Sequence, residues 1–180
     1  MKWTKVESIK NGDKDVENRW ILSLPGAGCS WAKKSEGCYM CNFKSATDKY
    51  TFGRLLPSGV FKGLYRVGHQ ITKKHNPDSI IIFNGGSFLN DAEIPLDAQK
   101  SLCELISRND NLKKIIFESR PEFVTNEKMT LLKDIVGDRK LAIAIGLETK
   151  SDQIRSKSIN KGFTKKNYED AVDVINGNEA

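Results

Sequence analysis

Apolar positions along this chain alternate between two periods, one suited to strands and one to helices. Trp20-Ile21-Leu22-Ser23-Leu24 is a short apolar run closed by Pro25 and Gly26, which predicts a strand ending in a turn. From about Gly59 to Lys74 the spacing becomes helical and puts Phe61, Leu64, Tyr65, Gly68 and Ile71 on one face. Ser79-Ile80-Ile81-Ile82-Phe83 is a continuous run broken by Asn84-Gly85-Gly86, the pattern of a strand buried on both faces. A helix follows from Asp97 to Arg108 through Ala98, Leu102, Leu105 and Ile106, then a strand over Lys114-Ile115-Ile116-Phe117-Glu118. Val124 to Val136 reads as a helix with Met129, Leu132 and Val136 aligned, and Leu141 to Gly146 as a fourth strand. Thr164 is placed to cap a last helix whose apolar face is Tyr168, Ala171, Val172 and Ile175.

Strand and helix alternating four times with short connections predict an α/β fold of parallel βα units, either a doubly wound sheet or part of a β/α barrel. The chemically loaded segments all follow strands: the stretch after Leu24, Asn84-Gly85-Gly86-Ser87, Glu118-Ser119-Arg120 and Gly146-Leu147-Glu148-Thr149. In a parallel sheet the carboxyl ends of the strands share one edge, so these four loops are expected to converge there.

The loop after the first of these strands, residues 25–44, carries three cysteines, Cys29, Cys38 and Cys41. Three thiolates can hold three irons of a cubane 4Fe-4S cluster and leave the fourth open to a small molecule. A structural zinc would need a fourth ligand, for which the candidates are the distant Cys103, His69 and His75. Disulfides fit a small secreted chain with denser cysteines. Cys103 lies with Leu102, Leu105 and Ile106 on an apolar helical side, as a small core residue would.

With 180 residues, 38% of them hydrophobic, the chain can bury one core, and a single domain over 1–180 is expected. Met1-Lys2-Trp3-Thr4-Lys5 lacks the apolar region of a signal peptide and no apolar run approaches the roughly 18 residues that cross a bilayer, so a cytoplasmic location is expected. Lys plus Arg number 29 against 23 Asp plus Glu, a net charge of +6, with lysine pairs at 33–34, 73–74, 113–114 and 165–166. The excess fits a polyanionic partner such as RNA, or an ordinary solvated surface.

The ordered motifs Gly28-Cys29-Ser30-Trp31, Gly37-Cys38-Tyr39-Met40-Cys41-Asn42-Phe43, Asn84-Gly85-Gly86-Ser87-Phe88, Glu118-Ser119-Arg120-Pro121-Glu122, Gly146-Leu147-Glu148-Thr149 and Ile159-Asn160-Lys161-Gly162-Phe163-Thr164 resemble those of the radical S-adenosylmethionine (SAM) enzymes. The wide gap between Cys29 and Cys38 is similar to that of the branch containing the catalytic subunit of Elongator and the archaeosine-forming enzymes. The resemblance implies a 4Fe-4S cluster on Cys29, Cys38 and Cys41, SAM as cofactor, a reductant protein, and a transfer RNA (tRNA) or modified nucleoside as substrate. The implied reaction forms archaeosine from a lysine-bearing deazaguanine precursor. By the same resemblance Gly85, Gly86 and Ser87 approach the methionine amino group and Glu148 the ribose. Lys161 meets the carboxylate, Glu118 and Arg120 face the same cavity, and Tyr39 or Phe43 stacks on adenine. The family fold is a (β/α)6 three-quarter barrel. Four strands therefore imply a partial barrel, apparently truncated at its C-terminal side or completed by a partner chain, with an open strand edge and poor retention of a cluster by the segment alone.

Plainer readings exist for each residue. Glu118 and Arg120 form an ion pair, Glu148 caps the helix after it, Lys161 is solvated, and Trp31 and Phe88 are packing. The alternative function is a non-catalytic metal or RNA-binding module, or another radical SAM reaction of the Elongator-like branch.

Overall fold

The computed structural model describes residues 2–11, 15–42 and 51–178. Its strands β1 (Thr4–Asn11), β2 (Asp15–Ser23), β3 (Ser79–Phe83), β4 (Lys114–Glu118) and β5 (Lys140–Ala144) form one sheet in sequence order. β2 to β5 are mutually parallel, whereas β1 pairs with β2 antiparallel, from Thr4 opposite Leu22 to Asn11 opposite Asp15. The four predicted strands are present. The N-terminal hairpin is new, and β2 starts five residues earlier than its apolar run suggested. Charged residues at alternate positions, Lys5, Glu7, Glu17 and Arg19, hide a strand from a search for apolar runs.

Five helices are labelled here: α1 (Ser30–Lys34), α2 (Ser58–Thr72), α3 (Leu96–Ser107), α4 (Asn126–Val136) and α5 (Lys165–Gly177). α2 packs on α3, α3 on α4 and α4 on α5, so these four form a row on one face of the sheet. The strand order never reverses and helices do not alternate between faces, so the doubly wound alternative does not hold for the described strands. Caps fix the last two helices. Thr125 accepts from Lys128 N–H to start α4, and Thr164 and Asn167 make a reciprocal capping box at α5.

Period-two alternation divides the sheet. Trp20, Ile80, Ile115 and Leu141 are in register and fully buried toward the helices, followed by the row Leu22, Ile82, Phe117 and Ile143, of which only Ile143 is part-exposed. Each such side chain contributes about 1.5–3 kcal/mol by leaving water. Trp20 satisfies its ring N–H on Thr4 Oγ1 at 2.7 Å. α2 meets this layer through Phe61, Tyr65, Gly68 and Thr72. Gly68 is needed because a Cβ would lie 2.9 Å from the Trp20 ring. Thr72 takes the inward position at the end of this face, and Ile71, expected in the core, is 50% exposed.

The other face carries the in-register row Ile21, Ile81, Ile116 and Ala142. Below it, Glu17 pairs with Arg19 and Lys114. β5 ends the described sheet with a partner on one side only, and of its residues only Leu141 is buried. No helix of the described residues is long and apolar enough to cross a membrane.

Candidate functional site at the strand ends

The loops after β2 and β3 are joined by Glu93, which no motif marks. Glu93 has no exposed surface. Its carboxylate accepts from Ser30 N–H at 2.8 Å and the Asn90 side-chain amide at 2.8 Å on one oxygen, and from Ser87 N–H at 2.5 Å on the other. Its own carbonyl accepts from Ala27 N–H at 3.1 Å. One buried carboxylate thus ties the residue after Cys29 to the residue after Gly86, and its charge is offset by three short donors. Gly86 is required between them. A Cβ there would overlap the Glu93 carboxylate and come within 3.2 Å of Cys29 Cα. Ser87 is buried as well, and its hydroxyl accepts from Arg120 N–H at 3.1 Å, linking the loop after β3 to the one after β4.

The cysteine loop is held from its other side by residues 159–163, more than 100 positions later. Asn160, in the left-handed conformation at φ 55°, donates its amide to the carbonyls of Ser35 (3.1 Å) and Gly37 (2.8 Å). Its own carbonyl accepts the Trp31 ring N–H at 2.8 Å, and Ile159 C=O accepts Tyr39 N–H at 2.9 Å. Trp31 rests on Gly162, where any Cβ would collide with the indole. The Arg120 guanidinium lies 5.3 Å from the ring centres of both Trp31 and Phe163 and donates to Lys161 C=O at 2.8 Å. Trp31 is therefore packing, but packing that positions the cysteine loop. Phe88 is core, stacked on Phe117 at 3.9 Å.

Cys29 and Cys38 are half-buried, Cys41 is exposed, and all are free thiols, as is the buried Cys103. No cysteine is in a disulfide. Burial pushes the Cys29 and Cys38 thiols up. For Cys38, Lys161 and Arg120 pull the other way, while Cys41 and Cys29 add to the rise. Lys161 and Arg120 beside Cys38 favour its thiolate, the form that ligates a metal. Among the described residues no three Cys, His, Asp or Glu side chains gather tightly enough to hold a single metal ion. A cubane, with each thiolate on a different iron, does not require such convergence. His69 is part-exposed and stacked on Tyr65, away from the cysteine loop, and burial pushes the Cys103 thiol up to about 12, as in a core residue.

Buried polar atoms without partners concentrate at these strand ends. Of five such side-chain atoms among the described residues, four are Asn84 Oδ1 and Nδ2, Glu118 Oε2 and Arg120 Nη2. Each costs about 1–3 kcal/mol if left so, and atoms of this kind fit a site that receives a polar ligand. Burial, with Glu93 nearby, pushes the Glu118 carboxyl up to about 7 despite Lys161. Glu118 and Arg120 do not pair with each other as the plain reading had it. Arg120 bonds Glu122 at 2.5 Å instead, since residues 118 and 120 are separated by the strand end. Glu148 does not cap the following turn; Ser151 does. Glu148 instead binds Lys161 at 2.9 Å, leaving that lysine side chain only 14% exposed.

The structure therefore brings together Cys29, Gly85, Gly86, Ser87, Glu118, Arg120, Glu148 and Lys161 along one edge. Tyr39 is 66% exposed and Phe43 lies outside the described residues. Glu93, Asn84 and Asn160 join the site from outside the candidate set. Asn160 and Asn84 stood in recognised motifs, but nothing in sequence marks Glu93 as buried. The turn after Glu148 is pinned by Arg155, fully buried, on Thr149 C=O and Asp152.

No family model matches the chain, and no solved structure matches it. It is 30% identical over 172 residues to archaeosine synthase subunit beta of Thermococcus kodakarensis, covering 96% of this chain and 51% of that protein. To archaeosine synthase subunit beta of Methanosarcina acetivorans it is 31% identical over 173 residues, covering 95% and 47%. An uncharacterized protein of Methanocaldococcus jannaschii is 33% identical over 164 residues, covering 90% and 44%. The chain spans about half the length of the curated relatives it matches.

Proposed function

We propose that this chain is the catalytic-cluster portion of an archaeosine-forming radical SAM enzyme that acts on tRNA together with other subunits. The names of its relatives from Thermococcus and Methanosarcina support the link to archaeosine and to a multi-subunit assembly. The observation that carries the chemistry is the set of unpartnered buried polar atoms on Asn84, Glu118 and Arg120, beside a glycine whose missing side chain lets the loop after β3 touch Cys29.

In this reading Cys29, Cys38 and Cys41 hold a 4Fe-4S cluster. Bound there, a reduced cluster would supply the one electron for cleavage of SAM to methionine and a hydrogen-abstracting 5′-deoxyadenosyl radical. The rest is done by the chain. Glu93 fixes the backbone on which Cys29 and Gly86 approach, so the ligand's amino end meets carbonyls instead of side chains. Lys161 and the free Nη2 of Arg120 bind a carboxylate, for which Lys161 exchanges its present partner Glu148. Glu148 is then free to accept from ribose hydroxyls, and Glu118, whose carboxyl burial pushes up to about 7, donates or accepts at the same mouth. Tyr39, 66% exposed, covers adenine in this reading. The one-directional strand order fits a partial (β/α)6 barrel, with the row Ile21, Ile81, Ile116 and Ala142 lining its interior.

The test is dithionite-dependent formation of 5′-deoxyadenosine and methionine from SAM by the native assembly without oxygen. The reading predicts both products in equal amounts and their loss on Lys161→Ala/Arg120→Ala. An assembly that binds metal or RNA and yields neither product is the non-catalytic module instead.

A further inference from the structure

At the opposite edge of the sheet, the second half of α2 and the turn between α3 and β4 enclose a cavity of about 440 Å³. Its rim carries Arg66 and Arg108, both exposed, and neither guanidinium makes an ion pair or hydrogen bond among the described residues. Its wall supplies the amides of Gln70, Asn109 and Asn111 and the imidazole of His69, which is stacked parallel to Tyr65 with ring centres 6.2 Å apart. Arg139 lies beside it, bonded to Ser107 C=O and 3.8 Å from Asp110, the one acid of the lining. Burial and Lys73 push the His69 imidazole below its usual range. Leu105 is the only aliphatic lining residue.

We propose that this cavity docks the phosphodiester backbone of the RNA substrate, remote from the reacting base. The proposal rests on the reading above that the substrate is tRNA. Unpaired guanidinium forks match phosphate oxygens, and carboxamides give both donors and acceptors for phosphate and ribose hydroxyls. Leu105 and Tyr65 are the only apolar groups among nine lining residues, and two arginines and three carboxamides dominate the rest. A contact of this kind carries no sequence information but sets how a large polyanion lies across the protein. It thereby orients the modified base toward the cysteine loop at the far edge.

The experiment is a titration of the native assembly with unmodified tRNA transcript from 50 to 300 mM salt, comparing wild type with Arg66→Gln/Arg108→Gln. Two lost phosphate contacts predict about tenfold weaker binding near 100 mM salt and a log–log salt slope smaller in magnitude by about 1.4–1.8. RNA-independent 5′-deoxyadenosine formation stays unchanged. Equal affinity and slope in the two proteins overturn the proposal while leaving the proposed function intact. Displacement of tRNA by polyglutamate at equal charge concentration overturns it in favour of an acidic protein partner. Failure of wild type to bind tRNA at all overturns it too, and the radical chemistry is then judged on SAM cleavage, which needs no RNA.

Discussion

The helix-facing layer of the sheet and the loops at its carboxyl edge are both buried, and they are built on opposite rules. Between the sheet and α2 to α4 the interior is aliphatic and aromatic, and a buried polar group such as the Trp20 ring N–H has its partner. At the edge the interior holds Glu93, Arg120, Asn84, Ser87 and Glu118, and several of their atoms are left open. The first layer gains free energy from every residue it buries. The second spends part of that gain to keep polar atoms poised, which is where local rules are expected to give way to function. The two meet at Phe117 and Glu118, successive residues of β4 pointing to opposite faces.

Replacing one member from each region separates the two rules. Phe117→Ala removes a ring stacked on Phe88 and leaves a cavity. It is expected to cost about 3–5 kcal/mol in urea unfolding, the largest loss of the set. Glu93→Ala strands the N–H groups of Ser30 and Ser87 and the Asn90 amide, for about 2–4 kcal/mol. Glu93→Gln, which keeps one acceptor, should lose less. If both were neutral, the buried carboxylate would not be tying the two loops. Asn160→Ala frees the carbonyls of Ser35 and Gly37 and forces a left-handed alanine, about 1–3 kcal/mol. Its distinctive readout is faster hydrogen exchange at the Tyr39 amide, with Asn160→Gly milder than Asn160→Ala in stability. Unchanged exchange would mean that the clasp does not hold the cysteine loop.

The smallest effect is one of pH. Glu118 has its carboxyl pushed from an ordinary 4.5 up to about 7 in the folded protein. The unfolded chain releases this proton first, so the fold loses stability as pH rises from about 4.5 to 7 and levels off above. Glu118→Gln is expected to flatten that decline and to be about 1–2 kcal/mol more stable than wild type at pH 8 after allowance for its part exposure. Parallel melting curves for the two proteins between pH 5 and 8 would place Glu118 in a more watery setting than its burial implies.

The parallel strands and their crossover helices were legible because apolar runs such as Ser79–Phe83 are long enough to name a strand alone. β1 was not, because Lys5 and Glu7 interrupt it and its pairing with β2 is a tertiary fact, although Asn11-Gly12 is a turn signal that could have raised it. Gly86 was legible as a position needing no side chain, but the carboxylate that fills that space comes from Glu93, which reads as one more surface acid. Lys161 and Glu148 were recognised singly. That they face each other follows only from the turn pinned by Arg155. Phe43 lies outside the described residues, and Tyr39 is exposed.

The three loop sulfurs are the most direct point of test. Iron and acid-labile sulfide, measured on the native assembly purified without oxygen, should be near four each per chain for a cubane and should vanish together in the Cys29→Ala/Cys38→Ala/Cys41→Ala variant while the Cys103 thiol stays titratable on unfolding. Zinc in place of iron, or iron retained equally by that variant, would contradict it.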